Sequence, residues 1–153
     1  MSETELSTFV VPLQKSNMLI PEVSVAEIIP YEPLQRVQDT PDWFLGFLGW
    51  RGIQVPVASF EMLSVERGSF SLVSVSSASL VVLKALGSDQ KFSYFAIVAQ
   101  ASPELVNLSA VDLVETGDRA EKTEMLKARY ADEIVSIPDF EYIQSEIQGV
   151  LPL

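Results

Sequence analysis

Cysteine and histidine are both missing from this sequence. With them go disulfides, thiol catalysis, the commonest general base and the ligands of ordinary zinc sites. No Ser-His-Asp device can be assembled. Basic residues are scarce as well: 10 Lys and Arg stand against 21 Asp and Glu, a net charge of -11. Such a chain repels nucleic-acid backbones, whose binding depends on clustered cations that release counterions, and it repels anionic membrane surfaces too. No apolar run reaches the ~18–20 residues that a spanning helix needs. The first residues, Met1-Ser2-Glu3-Thr4-Glu5, are polar and acidic where a secretory signal is basic and then apolar, so a cytoplasmic address is expected. No linker or internal repeat divides the chain, and its 153 residues suit one domain.

A phosphate cradle of the form G-x-x-x-x-G-K-[ST] is also lacking. Gly46, Gly49 and Gly52 have G-x-x-G-x-x-G spacing but not the strand-to-helix context that dinucleotide binding requires. Carboxylates pair in sequence at Asp39 with Asp42 and at Asp132 with Glu133. In a chain this acidic they read as solvated surface charge, not as a hydrolytic pair or a hard-cation site. An enzyme is not expected, nor is a bound cofactor or metal.

What is present is a series of short β-branched and aromatic runs separated by turn residues, the pattern of an all-β domain. Phe9 to Leu13 is the first, followed by a turn at Lys15-Ser16-Asn17 and by Met18-Leu19-Ile20. Val23 to Ile29 alternates like a strand between prolines, although Glu22 through Glu27 also fits one helical turn. Leu80 to Leu86 and Phe92 to Ala99 flank Gly87 to Lys91 and predict a hairpin. Both runs are nearly continuous hydrophobics, which implies cover on both faces. The charged stretch Gly117 to Ala131 places Met125, Leu126 and Tyr130 at roughly helical spacing and predicts a loop with a helical turn. Ile134 to Ile137 returns to strand. Asp139 then caps a terminal helix over Phe140 to Gln148, with Phe140, Ile143 and Ile147 on one core-facing stripe. Serine-rich Ser69 to Ser79 is a turn-and-edge stretch by composition.

The segment from Pro41 to Val57 carries the most information. Its glycines at every third position permit tight turns, while Trp43, Phe44, Leu45, Phe47 and Leu48 supply apolar anchors. Arg51, between Trp50 and Gly52, is expected on a short rigid turn. Ile53, Val55 and Val57 alternate as a strand with one buried face, and Pro56 marks that strand as an edge or as bulged. Arg51 has two readings on residues alone: a recognition group, or a surface arginine stacked on Trp50 or Trp43. Trp43, Phe44 and Trp50 are core or groove-lining. A small-ligand β-barrel with Trp43, Phe44, Tyr94 and Phe95 around an apolar pocket is an alternative function.

These residues resemble a known family, the CheW-like coupling domain of bacterial chemosensory arrays. Leu19 to Pro30, with Val25-Ala26-Glu27-Ile28 as a V-x-E-I-like strand, is similar to the family's first-barrel segment. Pro41, Gly46, Arg51 and Gly52 match its P-x-x-x-x-G-x-x-x-x-R-G spacing, ahead of Val55-Pro56-Val57. The likeness spans Leu19 to Phe60. Val106 to Val111 resembles the second-barrel L-x-L-x-A segment, but Tyr94 to Gln100 stands where the usual glycines and acidic residue are missing. Gly49-Trp50-Arg51-Gly52 and the divergent second half are most similar to family members in systems that control type IV pili.

The resemblance implies two five-stranded SH3-like β-barrels sharing a hydrophobic core, with a short C-terminal helix, in a single domain of residues 6–149. It further implies a non-catalytic adaptor between the cytoplasmic tip of a methyl-accepting chemoreceptor and the regulatory domain of a CheA-type histidine kinase. Arg51 is then a principal determinant of receptor contact, its planar fork suited to a carboxylate on a partner helix. Glu27 matches an acidic position of the same interface, and Val25, Ile28, Gly46 and Trp50 are carried over with it.

Overall fold

The computed structural model describes residues 5–13, 16–64, 77–87, 92–109, 112–117, 120 and 123–151, without the Ser64 and Leu126 side chains. Strands β1 (Glu5–Pro12) and β2 (Asn17–Pro21) open the chain; Lys15, expected in the turn between them, lies outside the described residues. One turn of 3-10 helix at Glu22–Ser24 leads into β3 (Val25–Pro30), so both readings of this segment hold in succession. β4 (Phe44–Trp50), β5 (Ile53–Ala58), the short helix α1 (Phe60–Ser64), β6 (Ser79–Lys84) and β7 (Tyr94–Ala99) form the middle. The chain closes with β8 (Glu104–Ser109), β9 (Val114–Glu115), β10 (Glu124–Tyr130), β11 (Glu133–Pro138) and helix α2 (Phe140–Val150).

These strands make two sheets. The middle of the chain forms a five-stranded sheet in the order β3-β6-β7-β5-β4. The two ends combine in the order β8-β1-β2-β11-β10-β9, in which β9 is a two-residue strip. The expected all-β fold with a short C-terminal helix is what is found, in two sheets, the second carrying the short β9 as a sixth strand. Each sheet contains one parallel pair, β5 with β7 and β2 with β11.

Burial explains the runs around the β6–β7 hairpin. Leu80, Val82, Ala96 and Val98 join Leu48, Trp50, Val55 and Val57 in a cluster inside the five-stranded sheet. The alternate residues Val81, Leu83, Phe95, Ile97 and Ala99 face a second cluster built with Val11, Met18, Ile20 and α2. That second cluster is the core shared between the sheets, so β6 and β7 are covered on both faces and their apolar runs are continuous. The hairpin register pairs Lys84 with Tyr94 and Ser79 with Ala99; residues 88–91 of its connection lie outside the described residues, as does the serine-rich stretch up to residue 76. A third cluster, Leu19, Leu108, Ala128 and Val135, fills the other sheet.

One expectation is corrected here. Instead of a loop with a helical turn, residues 124–130 form β10, paired along its length with β11 and bulged between Glu124 and Leu126. The apparent helical spacing misleads because Met125 is 68% exposed. Ala128 and Tyr130, two apart, pack into the third cluster, and strand pairing outweighs the weak local preference.

Helix α2 forms as predicted. The Asp139 carboxylate accepts from the Tyr142 N–H at 3.1 Å, satisfying one orphan donor of the first turn. Ile143 and Ile147 are fully buried in the shared core, and Phe140 meets Phe95 edge-on at 6.1 Å. Gln144 fixes the helix to the hairpin: its Oε1 accepts from the Leu86 N–H at 2.6 Å, and its Nε2 donates to the Leu86 carbonyl at 3.0 Å. Gln144→Leu leaves both backbone groups without this partner, and urea unfolding is expected to show a loss of about 2 kcal/mol. A loss below about 0.5 kcal/mol would show that other groups or water replace the clamp.

Candidate functional site: the hairpin apex and the facing sheet edge

β4 and β5 pair down to Trp50 opposite Ile53, leaving Arg51 and Gly52 as a two-residue turn. Their φ angles are 49° and 80°, the double positive pattern of a type I′ hairpin turn. Glycine meets this freely at position 52. Arginine in the left-handed region costs about 1 kcal/mol, and two contacts offset that cost. The Arg51 Cζ lies 4.4 Å from the centroid of the Trp50 ring, and its Nη2 donates to Glu27 Oε1 at 3.2 Å. Arg51 is thus stacked on Trp50, as one of its two readings has it, while its side chain stays 65% exposed.

Trp50 is the hub. Its ring is buried in the five-stranded sheet's interior and packs against Tyr94 at 4.9 Å between centroids. Its Nε1–H donates to the same Glu27 Oε1 at 2.9 Å, so the indole's polar tip is satisfied where it emerges. Glu27 lies on β3 and Trp50 on β4, the two outermost strands of that sheet. One carboxylate oxygen therefore ties the sheet's two edges together, with Arg51 on the rim of the closure.

Pro56 fits this arrangement. β5 pairs with β7 only at Val57 and Ala58, so the half of β5 next to Arg51 is an edge where a missing N–H breaks no ladder. The bulge lies opposite, between Phe44 and Gly46. Ile53, beside the turn, is 43% exposed.

The remaining residues carried over from the resemblance are placed differently. Val25 and Ile28 are half-buried and pack against the shared core. Gly46 is buried, with φ 129°, beneath a crossing segment in which Gln35 and Phe47 exchange two backbone hydrogen bonds of 2.8 and 2.9 Å. A side chain there would collide with the Gln35 carbonyl, so Gly46 shapes the hairpin and presents no group of its own. Tyr94 is singled out from the sequence as a site residue through the ligand-pocket alternative alone, yet it backs Trp50. The signal that could have found it is a polar-tipped aromatic opening an otherwise apolar strand.

The four aromatics of that alternative are divided between two clusters: Trp43 and Phe44 meet edge-on at 6.3 Å on the side of the shared core, whereas Tyr94 lies in the five-stranded sheet's own cluster. Tyr94 meets Trp50, Phe44 meets Phe47 at 5.5 Å, Phe95 lies in the shared core, and Trp43 packs at that core's margin. The sheet interior itself is filled by side chains. Among the described residues no group of three or more Asp and Glu is placed to hold a metal ion, and Asp39, Asp42, Asp132 and Glu133 are all exposed. No described helix is long and apolar enough to cross a membrane.

Comparison with known proteins agrees with this architecture. No curated protein gives a significant sequence match. Among solved structures, the fold is similar to that of the scaffolding protein TtCheW from Thermoanaerobacter tengcongensis, with a TM-score of 0.71 at 14% identity over 89% of this chain and 90% of that one. At that identity the likeness concerns the fold. The sequence profile of the CheW-like domain matches residues 7–147, nearly the whole chain, and the protein therefore belongs to the CheW-like domain family.

Proposed function

We propose that this chain is a non-catalytic adaptor of chemotaxis-type signal transduction. It couples the cytoplasmic tip of a methyl-accepting chemoreceptor to the regulatory domain of a CheA-type histidine kinase, with residues 6–149 acting as one unit in the cytoplasm. The observation that carries this reading is the Glu27–Trp50–Arg51 cluster: an exposed guanidinium held on a rigid turn, by an aromatic face and a carboxylate, at an open strand edge. A fixed arginine above an apolar rim is what an interface anchor requires. The filled interior supports a surface binder over a ligand carrier. No cofactor, nucleic acid or membrane insertion enters the reading.

An adaptor transmits only if its contacts differ between the receptor's signalling states, because its output is a coupling free energy. Bridging has a diagnostic titration. With purified receptor and kinase, receptor-dependent phosphorylation should rise and then fall as the protein is added, since an excess of bridge places the two partners on different copies. A kinase that responds equally well without this protein, or a protein that hydrolyses nucleotide alone, overturns the reading.

The system served is, in this proposal, one that controls type IV pili and twitching motility. The Gly49-Trp50-Arg51-Gly52 turn and the divergent second half, which resemble those of the chemosensory pili protein ChpC, are what support it. Deletion should abolish directed twitching and leave swimming unchanged; the opposite outcome refutes this assignment.

A further inference from the structure

We infer that the six-stranded sheet carries, on its outer face, a recess that binds a small neutral polyhydroxy compound, a mono- or disaccharide. The recess lies outside both sheet interiors, and the inference is independent of the receptor-contact reading of Arg51, which concerns the other sheet.

A β-bulge builds the charged wall of this recess. Residues 124 and 127 lie three apart, so in a regular strand their side chains would point to opposite faces. The bulge between Glu124 and Leu126 turns Glu124 onto the face of Lys127 and Ser136, away from the Ala128 and Val135 cluster. Bulges re-aim side chains in this way beside functional sites. The Glu124 carboxylate, whose side chain is only 4% exposed, accepts from Lys127 Nζ at 2.8 and 3.0 Å and from the Ser136 hydroxyl. Lys127 itself is 24% exposed. Glu124 is its only acceptor among the described residues, which leaves an N–H of the ammonium for a ligand.

The parallel ladder of β2 with β11 has two pairs, Val135 with Asn17 and Ser136 with Met18. Where it stops, a recess of about 530 Å³ opens, lined by Leu13, Ser16, Asn17, Lys127, Ile134 and Ser136, and by Glu133, whose carboxylate accepts from Asn17 Nδ2 at 3.2 Å. That volume is in the range of small-molecule sites. Charge then selects the ligand. The Glu124–Lys127 pair is neutral as a unit, so an acid finds one N–H beside a buried carboxylate and meets Glu133 as a like charge, while an amine meets Lys127. A free amino acid does not resolve the conflict, because Glu133 stands three residues along β11 from Ser136, about 10 Å, too far for two charges on one carbon. Hydroxyl groups both donate and accept. A sugar takes the Lys127 N–H, donates to the Ser136 oxygen, whose own proton is committed to Glu124, and donates to Asn17 Oδ1. Leu13 and Ile134 give its C–H face apolar contact.

The test is an NMR titration of the isotope-labelled protein with glucose, maltose, sodium acetate and putrescine in turn. Glucose or maltose should give saturable amide shifts confined to the residues lining the recess, half complete below about 10 mM. Shifts that stay linear and spread over the surface with both sugars overturn the inference, and so does tighter binding of acetate or putrescine. Glu124→Leu and Lys127→Met made together exchange the ion pair for apolar side chains of similar size, a change that buried pairs tolerate. This double variant should melt no lower than wild type and bind the sugar at least about tenfold more weakly. Asn17→Ala, which leaves the buried pair in place, should weaken binding about fivefold and carries the test if the double variant does not fold. Wild-type sugar affinity in a folded double variant, or in Asn17→Ala where that variant alone folds, overturns the assignment.

Discussion

Arg51→Glu is expected to reduce chemoreceptor binding by at least about 100-fold while leaving a folded protein. Arg51 sits on an exposed two-residue turn, so its replacement removes no core packing. The loss to the fold is one stacking contact and one exposed ion pair, with a new like-charge contact against Glu27, about 1 kcal/mol together. The loss to the interface is larger, because reversing a desolvated, hydrogen-bonded charge leaves its partner group unpaired. Arg51→Asn is the matching control: asparagine tolerates the left-handed conformation, so any binding it loses comes from the missing guanidinium and not from the backbone. Thermal unfolding measured beside receptor co-sedimentation decides the matter. A well-folded Arg51→Glu protein that still co-sediments removes Arg51 from the interface.

Gly46→Val should be the most damaging single change to the fold among those considered. At φ 129° an L-residue is strained wherever it sits, and the added side chain would be driven into the Gln35 carbonyl. Relief requires the crossing segment to lift, which breaks both Gln35–Phe47 hydrogen bonds. Strain and lost bonds together amount to about 3–5 kcal/mol, or a fall in Tm of roughly 10 °C for a chain of this size. Lifting that segment also bares the outer edge of β4, so self-association should appear in size-exclusion chromatography. A Tm within about 2 °C of wild type contradicts this account. Gly46 would then affect partner binding only through the position of Arg51, so receptor affinity should fall in step with stability and not ahead of it.

Gly46 and Arg51 share one sequence motif but act at different levels. The glycine spacing marks a turn at 51–52, and the turn is there with both residues at positive φ. The same motif offers Gly46 as a contact residue, whereas its conformation is set by a strand segment crossing over it from residue 35. Nothing local to Gly46 announces that crossing. The Glu27–Trp50 hydrogen bond is hidden for a similar reason: it joins residues 23 apart across two sheet edges, and no periodicity encodes which edges meet.

Elements with local signals are legible in the chain before any fold is known. Continuous apolar runs around turn residues specify the β6–β7 hairpin, and an aspartate ahead of an i, i+3, i+7 stripe specifies α2 with its cap. The absence of histidine and cysteine and the acidic balance bound the chemistry in advance. Three features emerge only on folding: the strand state of residues 124–130, the pairing of β2 with β11 and of β5 with β7, and the closure in which one carboxylate holds both an indole and a guanidinium. Helix caps, turns and alternation are fixed by neighbours within a few residues. Strand partners and side-chain clusters are chosen by burial over the whole chain, where many local compromises are outweighed by a shared core.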